Sequence, residues 1–301
     1  MGTDRADRLV TELAPVPNGR PDEPGRTDRK TGVPAPAKLT LSLRITGVRP
    51  DGYHELDSEM ATVDLADTLV IGPGEGLTIE SETTSSEGQV REVPDVSGTG
   101  TAGLSAGADN LVVRALAAVG RSARVRMIKR IPVGAGLGGG SADAAAILRW
   151  AGCSDLRVAS ALGADVPFCV VGGRARVRGI GESVTALTYQ AREFTLLLPP
   201  FGMDTADVYR TWDAMFRAGS LPPEGTSGND LEAPALSVEP RLALWRQAFT
   251  AATGVEPRLA GSGSTWFVEG GPETFGLEDR GSLQLGQASA RLLRARTVPA
   301  V

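Results

Sequence analysis

The chain has 301 residues, 41% of them hydrophobic and 22% charged, with a net charge of −5. At roughly 100–200 residues per domain this length predicts two packed domains, and the acidic balance excludes a general positive field for nucleic acid or anionic lipid. Two cysteines and a single histidine exclude a disulfide scaffold, a Cys/His zinc site and most histidine-based catalysis, which leaves the chemistry to carboxylates, lysines, hydroxyls and backbone amides. No apolar run approaches the ~18 residues that span a bilayer and no signal-peptide core opens the chain, so a cytoplasmic location is expected.

Residues 1–33 are rich in Pro, Gly and charge without an apolar period, and are expected to form a disordered extension. From Ala37 the pattern alternates strictly. Ala37, Leu39, Leu41, Leu43 and Ile45 are expected on one face of a strand, and Lys38, Thr40, Ser42 and Arg44 on the other. A Pro50-Asp51-Gly52 turn follows, then short strands near Glu59–Val63, Thr68–Ile71 and Leu77–Glu80, and a Ser/Thr/Gly-rich loop to about Gly107. Asp109–Val119 has helical spacing and stops at Gly120; Arg124–Ile131 alternates again.

Next comes Pro132-Val133-Gly134-Ala135-Gly136-Leu137-Gly138-Gly139-Gly140-Ser141-Ala142, leading into an Ala-rich helix that closes at Gly152. Glycines let backbone N–H groups converge, and a helix N-terminus adds partial positive charge, so this loop predicts a phosphate site. Its match to G-x-G-x-x-G is set aside because the preceding strand is laced with Arg and Lys, where a dinucleotide-binding first strand is buried on both faces. A P-loop is excluded because no Lys precedes Ser141. A short helix near Asp155–Leu162 and strands near Cys169–Val171 and Arg174–Arg178 complete the first half. The second half opens with the strand Phe194–Leu198. Helices are expected over Ala206–Arg217, Asp230–Ala235 and Arg241–Ala252, strands on either side of Gly261-Ser262-Gly263-Ser264, and a last strand near Ala290–Thr297.

The segment Pro132–Ala146 resembles the central motif of the GHMP kinases, whose loop wraps the ATP triphosphate. Ala37–Leu43 followed by Arg49-Pro50-Asp51-Gly52-Tyr53-His54-Glu55-Leu56, and Leu162-Gly163-Ala164-Asp165-Val166-Pro167-Phe168, resemble the branch acting on 4-diphosphocytidyl-2-C-methyl-D-erythritol, and Gly261-Ser262-Gly263-Ser264 resembles the family's third glycine motif; the resemblance covers roughly residues 35–270. The resemblance implies an α+β, two-domain GHMP kinase fold: a ribosomal-S5-domain-2-like N-terminal domain at 34–190 and a ferredoxin-like C-terminal domain at 191–301, with the active site between them. It also implies transfer of the ATP γ-phosphate to a 2-hydroxyl in the non-mevalonate isoprenoid pathway, with Mg²⁺ as cofactor and no nucleic-acid or membrane partner, in a monomer or homodimer.

By the same resemblance Asp165 is the catalytic base and Lys38 its partner, Pro132–Ala142 bind ATP, and Tyr53 and His54 hold the cytosine end. Thr40, Thr205, Gly261, Ser262 and Gly263 are further substrate contacts. Ser141 is either a plain helix cap or a Mg²⁺ ligand; Thr205 also reads as an ordinary first-turn residue, and Gly261–Gly263 as a tight hairpin. Thr40 and Ala142 stand where the family often has Asn and Ser. A GHMP kinase for another alcohol, of the homoserine or mevalonate type, and a nonenzymatic nucleotide-binding regulator of this fold are the alternative readings; retention of Lys38 and Asp165 favours an enzyme.

Overall fold

The computed structural model describes residues 31–84, 90–92, 104–222 and 228–300. The expected extension over residues 1–30 and much of the Ser/Thr/Gly-rich loop lie outside the described residues.

The elements of the first half are β1 (Thr31–Val48), β2 (His54–Gly72), β3 (Gly76–Thr84), β4 (Val90–Glu92), α1 (Leu111–Ala118), β5 (Arg124–Lys129), α2 (Gly139–Trp150), α3 (Leu156–Leu162), α4 (Val166–Val171), β6 (Arg174–Gly179) and β7 (Ser183–Ala186). They build a seven-stranded sheet in the order β4-β3-β5-β2-β6-β7, with β1 paired antiparallel to β2. Strands β3 and β5 run parallel, which requires a crossover, and α1 supplies it. Asn110 starts that helix by accepting the Val112 amide. The helices pack on the sheet through a core that includes Leu69, Val125, Met127, Ile147 and Phe168.

The second half contributes β8 (Glu193–Leu198), α5 (Thr205–Arg217), α6 (Glu232–Val238), α7 (Arg241–Thr253), β9 (Arg258–Leu259), β10 (Trp266–Glu269), β11 (Ser282–Leu285) and β12 (Ala288–Arg296). Its sheet runs β11-β12-β8-β10-β9 with every pair antiparallel, and Trp212, Trp245, Phe249 and Trp266 are buried together beside it. The two sheets meet through a third apolar cluster in which Ala37, Leu39, Leu41 and Leu137 pack with Phe194, Leu196 and Phe267. At about 1.5–3 kcal/mol per buried large side chain, that seam fixes the walls of whatever lies between the halves.

Several expectations are corrected. β1 begins at Thr31, so residues 31–33 are strand rather than disordered extension. The two short strands expected over 59–71 are one continuous β2. Cys169–Val171 is helical, because Pro167 preorganises the first turn of α4 and a short apolar run carries no periodicity to separate strand from helix. The strict alternation of β1 fails too. A bulge between Thr40 and Ser42 shifts the register, so Leu41 stays in the seam with Leu39 while Leu43 joins the second-half core and lines the same cleft as Lys38 and Thr40.

Candidate active site

A cleft of about 540 Å³ lies between the glycine loop, β1, the start of α4 and the second half of the chain. Its floor is the loop itself. Backbone N–H groups of Met203 and Ser264 donate to the Gly134 carbonyl, that of Thr265 to Ala135 and that of Lys38 to Leu137, at 2.9–3.3 Å. The loop is thereby pinned from outside through its carbonyls. Its own amides, from Val133 to Ser141, donate to no other group among the described residues. Donors left in this state, most of them on buried or half-buried residues and two on the exposed Val133 and Gly140, are what an anion satisfies, and the last of them belong to the first turn of α2.

Glycine is required in this loop for packing as well as for torsion. Gly136 has φ +77°, and a Cβ there would sit 2.2 Å from the Ala260 carbonyl oxygen; Gly138 has φ +68°, and its Cβ would meet the Lys38 side chain at 2.7 Å. The loop therefore lies directly against β1 and the Gly261 turn.

Lys38 reaches from β1 under this loop, almost fully buried, with its ammonium 3.3 Å from Asp165 Oδ2 and donating to Thr40 Oγ1 at 3.0 Å. Asp165 immediately precedes α4 yet caps no helix amide, which frees its carboxylate for Lys38 and the cleft. A buried cation holding a carboxylate beside a cradle of amide donors is suited to phosphoryl transfer: the carboxylate receives a proton, while the cation and amides oppose phosphate charge. Cys169, one turn along α4, is a poor nucleophile, since burial and then the Asp165 charge push its thiol up to about 12.

Behind the loop lies a second ionic group that motif reading missed. Lys129, at the end of β5, donates to Asp143 of α2 at 2.7 Å and to Asp67 of β2, and all three side chains are buried. Burial and then the Asp67 charge outweigh the pull of Lys129, and push the Asp143 carboxyl up to about 7. For Lys129 burial disfavours the ammonium, but Asp143 and Asp67 together hold its pKa above the ordinary lysine value. The alternating Arg124–Ile131 strand was the available signal, because Lys129 shares its inward face with Val125, Met127 and Ile131 and so needs a buried partner.

On the second-half side, Thr205 Oγ1 and Ser262 Oγ are hydrogen-bonded at 2.8 Å, and both line the cleft with Gly261 and Tyr209. His54, at the start of β2, packs against Tyr209 with ring centroids 4.8 Å apart, lies edge-on to Trp212 and donates from Nε2 to Asp213 at 2.8 Å. Tyr209, Trp212 and Asp213 all come from α5, and sequence reading passed over them because their helical spacing reads as a packing face. Desolvation and then the nearby Asp165 charge raise the Tyr209 phenol above its usual pKa.

The structure thus brings together Lys38, Thr40, Asp165, Pro132 through Ser141, Thr205, Gly261 and Ser262 around one cleft, with His54 packed on one of its wall residues. Four expected contacts do not line it: His54, which reaches it only through Tyr209, and Ala142, Gly263 and Tyr53. Ala142 is fully buried and its N–H is spent on the Gly138 carbonyl. Gly263 does not line the cleft; it packs against Leu259 and Met203. Tyr53 is 60% exposed, in a surface turn where its backbone N–H donates to Asp51 Oδ1 at 3.2 Å. Thr40 lines the cleft, but its hydroxyl is already engaged by Lys38.

Loop, helix and seam place the chain in a known class. The GHMP kinases N-terminal domain model matches residues 110–173, the stretch that carries α1, the glycine loop and Asp165. A solved mevalonate kinase from Methanococcus jannaschii shares the fold, with a TM-score of 0.53 at 10% identity over 91% of this chain and 100% of that one. Closer likeness is found to 4-diphosphocytidyl-2-C-methyl-D-erythritol kinase of Paracoccus denitrificans, 38% identical over 77% of this chain and 84% of that protein. The same-named protein of Cereibacter sphaeroides strain KD131 is 36% identical over 77% and 87%. A crystal structure of 4-(cytidine 5′-diphospho)-2C-methyl-D-erythritol kinase superposes with a TM-score of 0.59, 30% identity, and coverage of 89% of this chain and 100% of that one. The chain belongs to the 4-diphosphocytidyl-2-C-methyl-D-erythritol kinase family of GHMP-fold phosphotransferases.

Proposed function

We propose that this cleft transfers the γ-phosphoryl group of ATP to the 2-hydroxyl of 4-diphosphocytidyl-2-C-methyl-D-erythritol. The observation that carries the reading is the run of amides from Val133 to Ser141, unpartnered among the described residues, next to the Lys38–Asp165 pair. The amides and the α2 terminus receive the triphosphate, with the base end toward Leu104, Leu111, Met127 and Ile131. Asp165 accepts the proton of the attacking hydroxyl. Lys38 keeps that carboxylate aimed and opposes charge on the transferred group. The cytidine end runs toward His54 and Tyr209, where ring faces and polar edges are available together.

Among the described residues no three His, Cys, Asp or Glu side chains come together as a metal cage. The donors present fit a Mg²⁺ carried in by the nucleotide and held chiefly by phosphate oxygens, with the Ser141 hydroxyl as the hard oxygen ligand the chain supplies. When bound, Mg²⁺ neutralises phosphate charge. Division at residue 190 into a nucleotide-binding part and a second part, and a cytoplasmic location, belong to the same proposal; no helix among the described residues is long and apolar enough to cross a membrane.

The test is ADP release by purified protein with Mg²⁺ and ATP on adding the cytidyl substrate, homoserine or mevalonate. Turnover with the first alone supports the reading. Turnover with another alcohol and none with the first overturns the substrate, and ATP binding without turnover on any of them favours a nonenzymatic regulator.

A further inference from the structure

The Asp67–Lys129–Asp143 group stands apart from the Lys38–Asp165 pair, with Lys129 and Asp143 on the cleft wall and Asp67 behind it, and it sits at both ends of the glycine loop. At the leading end, Asp67 Oδ1 accepts the backbone N–H groups of Arg130 and Ile131, the latter at 2.9 Å, fixing the chain as it leaves β5. At the trailing end, Asp143 occupies the second turn of α2 and is bonded to Lys129. Lys129 joins the two carboxylates, so one ionic chain runs from the start of the loop through β2 and β5 to the helix that ends it. The close approach is built into the sequence at Gly139, where a Cβ would stand 3.1 Å from Ile131 Cγ2 and 3.3 Å from Lys129 Nζ. Asp143 Oδ1 is buried and has no partner among the described residues, so the group is not arranged to satisfy its own polar atoms fully.

We infer that Asp67, Lys129 and Asp143 form a buckle that sets the spacing between the two ends of the glycine loop and thereby its affinity for a nucleoside triphosphate, with Lys129 as the central positioning residue. The inference rests on the reading that the loop holds ATP. Removing Lys129 strands two buried carboxylates and invites unfolding, so the buckle is better opened from its ends. Asp143→Ala leaves a neutral Lys129–Asp67 pair. Asp143→Asn keeps an acceptor for Lys129. Asp67→Asn weakens the opposite end, and Asp67, unlike Asp143, does not line the cleft.

The experiment is equilibrium binding of a nonhydrolysable ATP analogue with Mg²⁺ to these variants, together with thermal unfolding and the KM for the alcohol substrate. Expected are at least tenfold weaker binding in Asp143→Ala, at least fivefold in Asp67→Asn, and binding within threefold of the parent in Asp143→Asn, with the alcohol KM within threefold throughout. Folded Asp143→Ala protein with parental affinity overturns the inference. Weak binding in Asp143→Ala with parental binding in Asp67→Asn also overturns it, because Asp143 then acts by direct contact. If Asp143→Ala does not fold, Asp143→Ser, polar but too short to reach Lys129, is held to the same two results. Gly140→Asp separates this inference from the reading beneath it. A Cβ at Gly140 would meet Leu111 at 3.5 Å, an ordinary contact, and the position is exposed, so it accepts a side chain there, whose carboxylate should repel the triphosphate. Undiminished analogue binding in Gly140→Asp removes ATP from the loop, whereas a loss there with parental binding in both Asp67→Asn and Asp143→Ala removes only the buckle.

Discussion

Lys38 Nζ lies 3.3 Å from Asp165 Oδ2, although one residue stands on β1 and the other at the start of α4, far apart in the chain. The lysine is almost fully buried while the carboxylate is about one-third exposed, so the pair presents its anionic member to the cleft. Asp165→Asn removes the proton acceptor, and Lys38→Ala removes the cation that aims it. Each is expected to lower kcat by about 10²-fold or more, on the scale of lost acid–base or electrostatic catalysis. Steady-state kinetics on variants with parental circular dichroism check this. Turnover within a few-fold of the parent removes the altered residue from the catalytic pair.

Substrate recognition separates two tyrosines. Motif resemblance selects Tyr53, but Tyr53 points into solvent while Tyr209 packs on His54 and lines the cleft. Tyr209→Ala is expected to raise the KM for the cytidyl substrate at least tenfold with a smaller change in kcat, the pattern of lost binding common to ground and transition states. Tyr53→Ala is expected to change it less than threefold. The reverse ranking in the same assay would show that the loop bearing Tyr53 closes over the substrate.

His54 donates to Asp213 from Nε2, which leaves Nδ1 as an acceptor when the ring is neutral. Asp213→Asn is expected to raise the KM for the cytidyl substrate several-fold and leave that for ATP within twofold. Equal changes in both constants contradict a role confined to the cytidine end.

The Asp143 carboxyl predicts a pH dependence of stability. Its pKa is raised from the ordinary aspartate value to about 7 by burial, against the attraction of Lys129. Between about pH 4 and 7 the native state therefore holds a proton that the unfolded state has released, so this group's contribution to stability falls as pH rises through that window. Asp143→Asn removes the titration. Relative to the parent it is expected to gain thermal stability between pH 4.5 and 8, and melting curves at the two pH values measure the gap. A gap that does not change with pH contradicts the assignment.

How far the sequence alone reached depended on whether each feature was local. The glycine loop, the capped α1 and the Ala-rich α2 are read from neighbouring residues, and they stand where expected. The helix α4 was misread because Val166–Val171 is short and apolar throughout, and only packing on both sides distinguishes it from a strand. The bulge after Thr40 leaves no trace in an alternating pattern, yet it decides which leucines face the cleft. Tyr209, Asp213, Asp67 and Asp143 were missed for the same reason: each acquires its role from a partner far away in the chain, and a single sequence does not display such pairings.

The central claim is that the amide-lined loop and the Lys38–Asp165 pair form one machine for a cytidyl alcohol. The most direct measurement is ADP release from Mg²⁺ and ATP by the parent protein and by Asp165→Asn, each with purified 4-diphosphocytidyl-2-C-methyl-D-erythritol. The account predicts substrate-dependent release by the parent and a loss of about 10²-fold or more in the variant, with ATP-analogue affinity unchanged. Release by the variant at the parental rate, or none by the parent in the presence of this substrate, would contradict it.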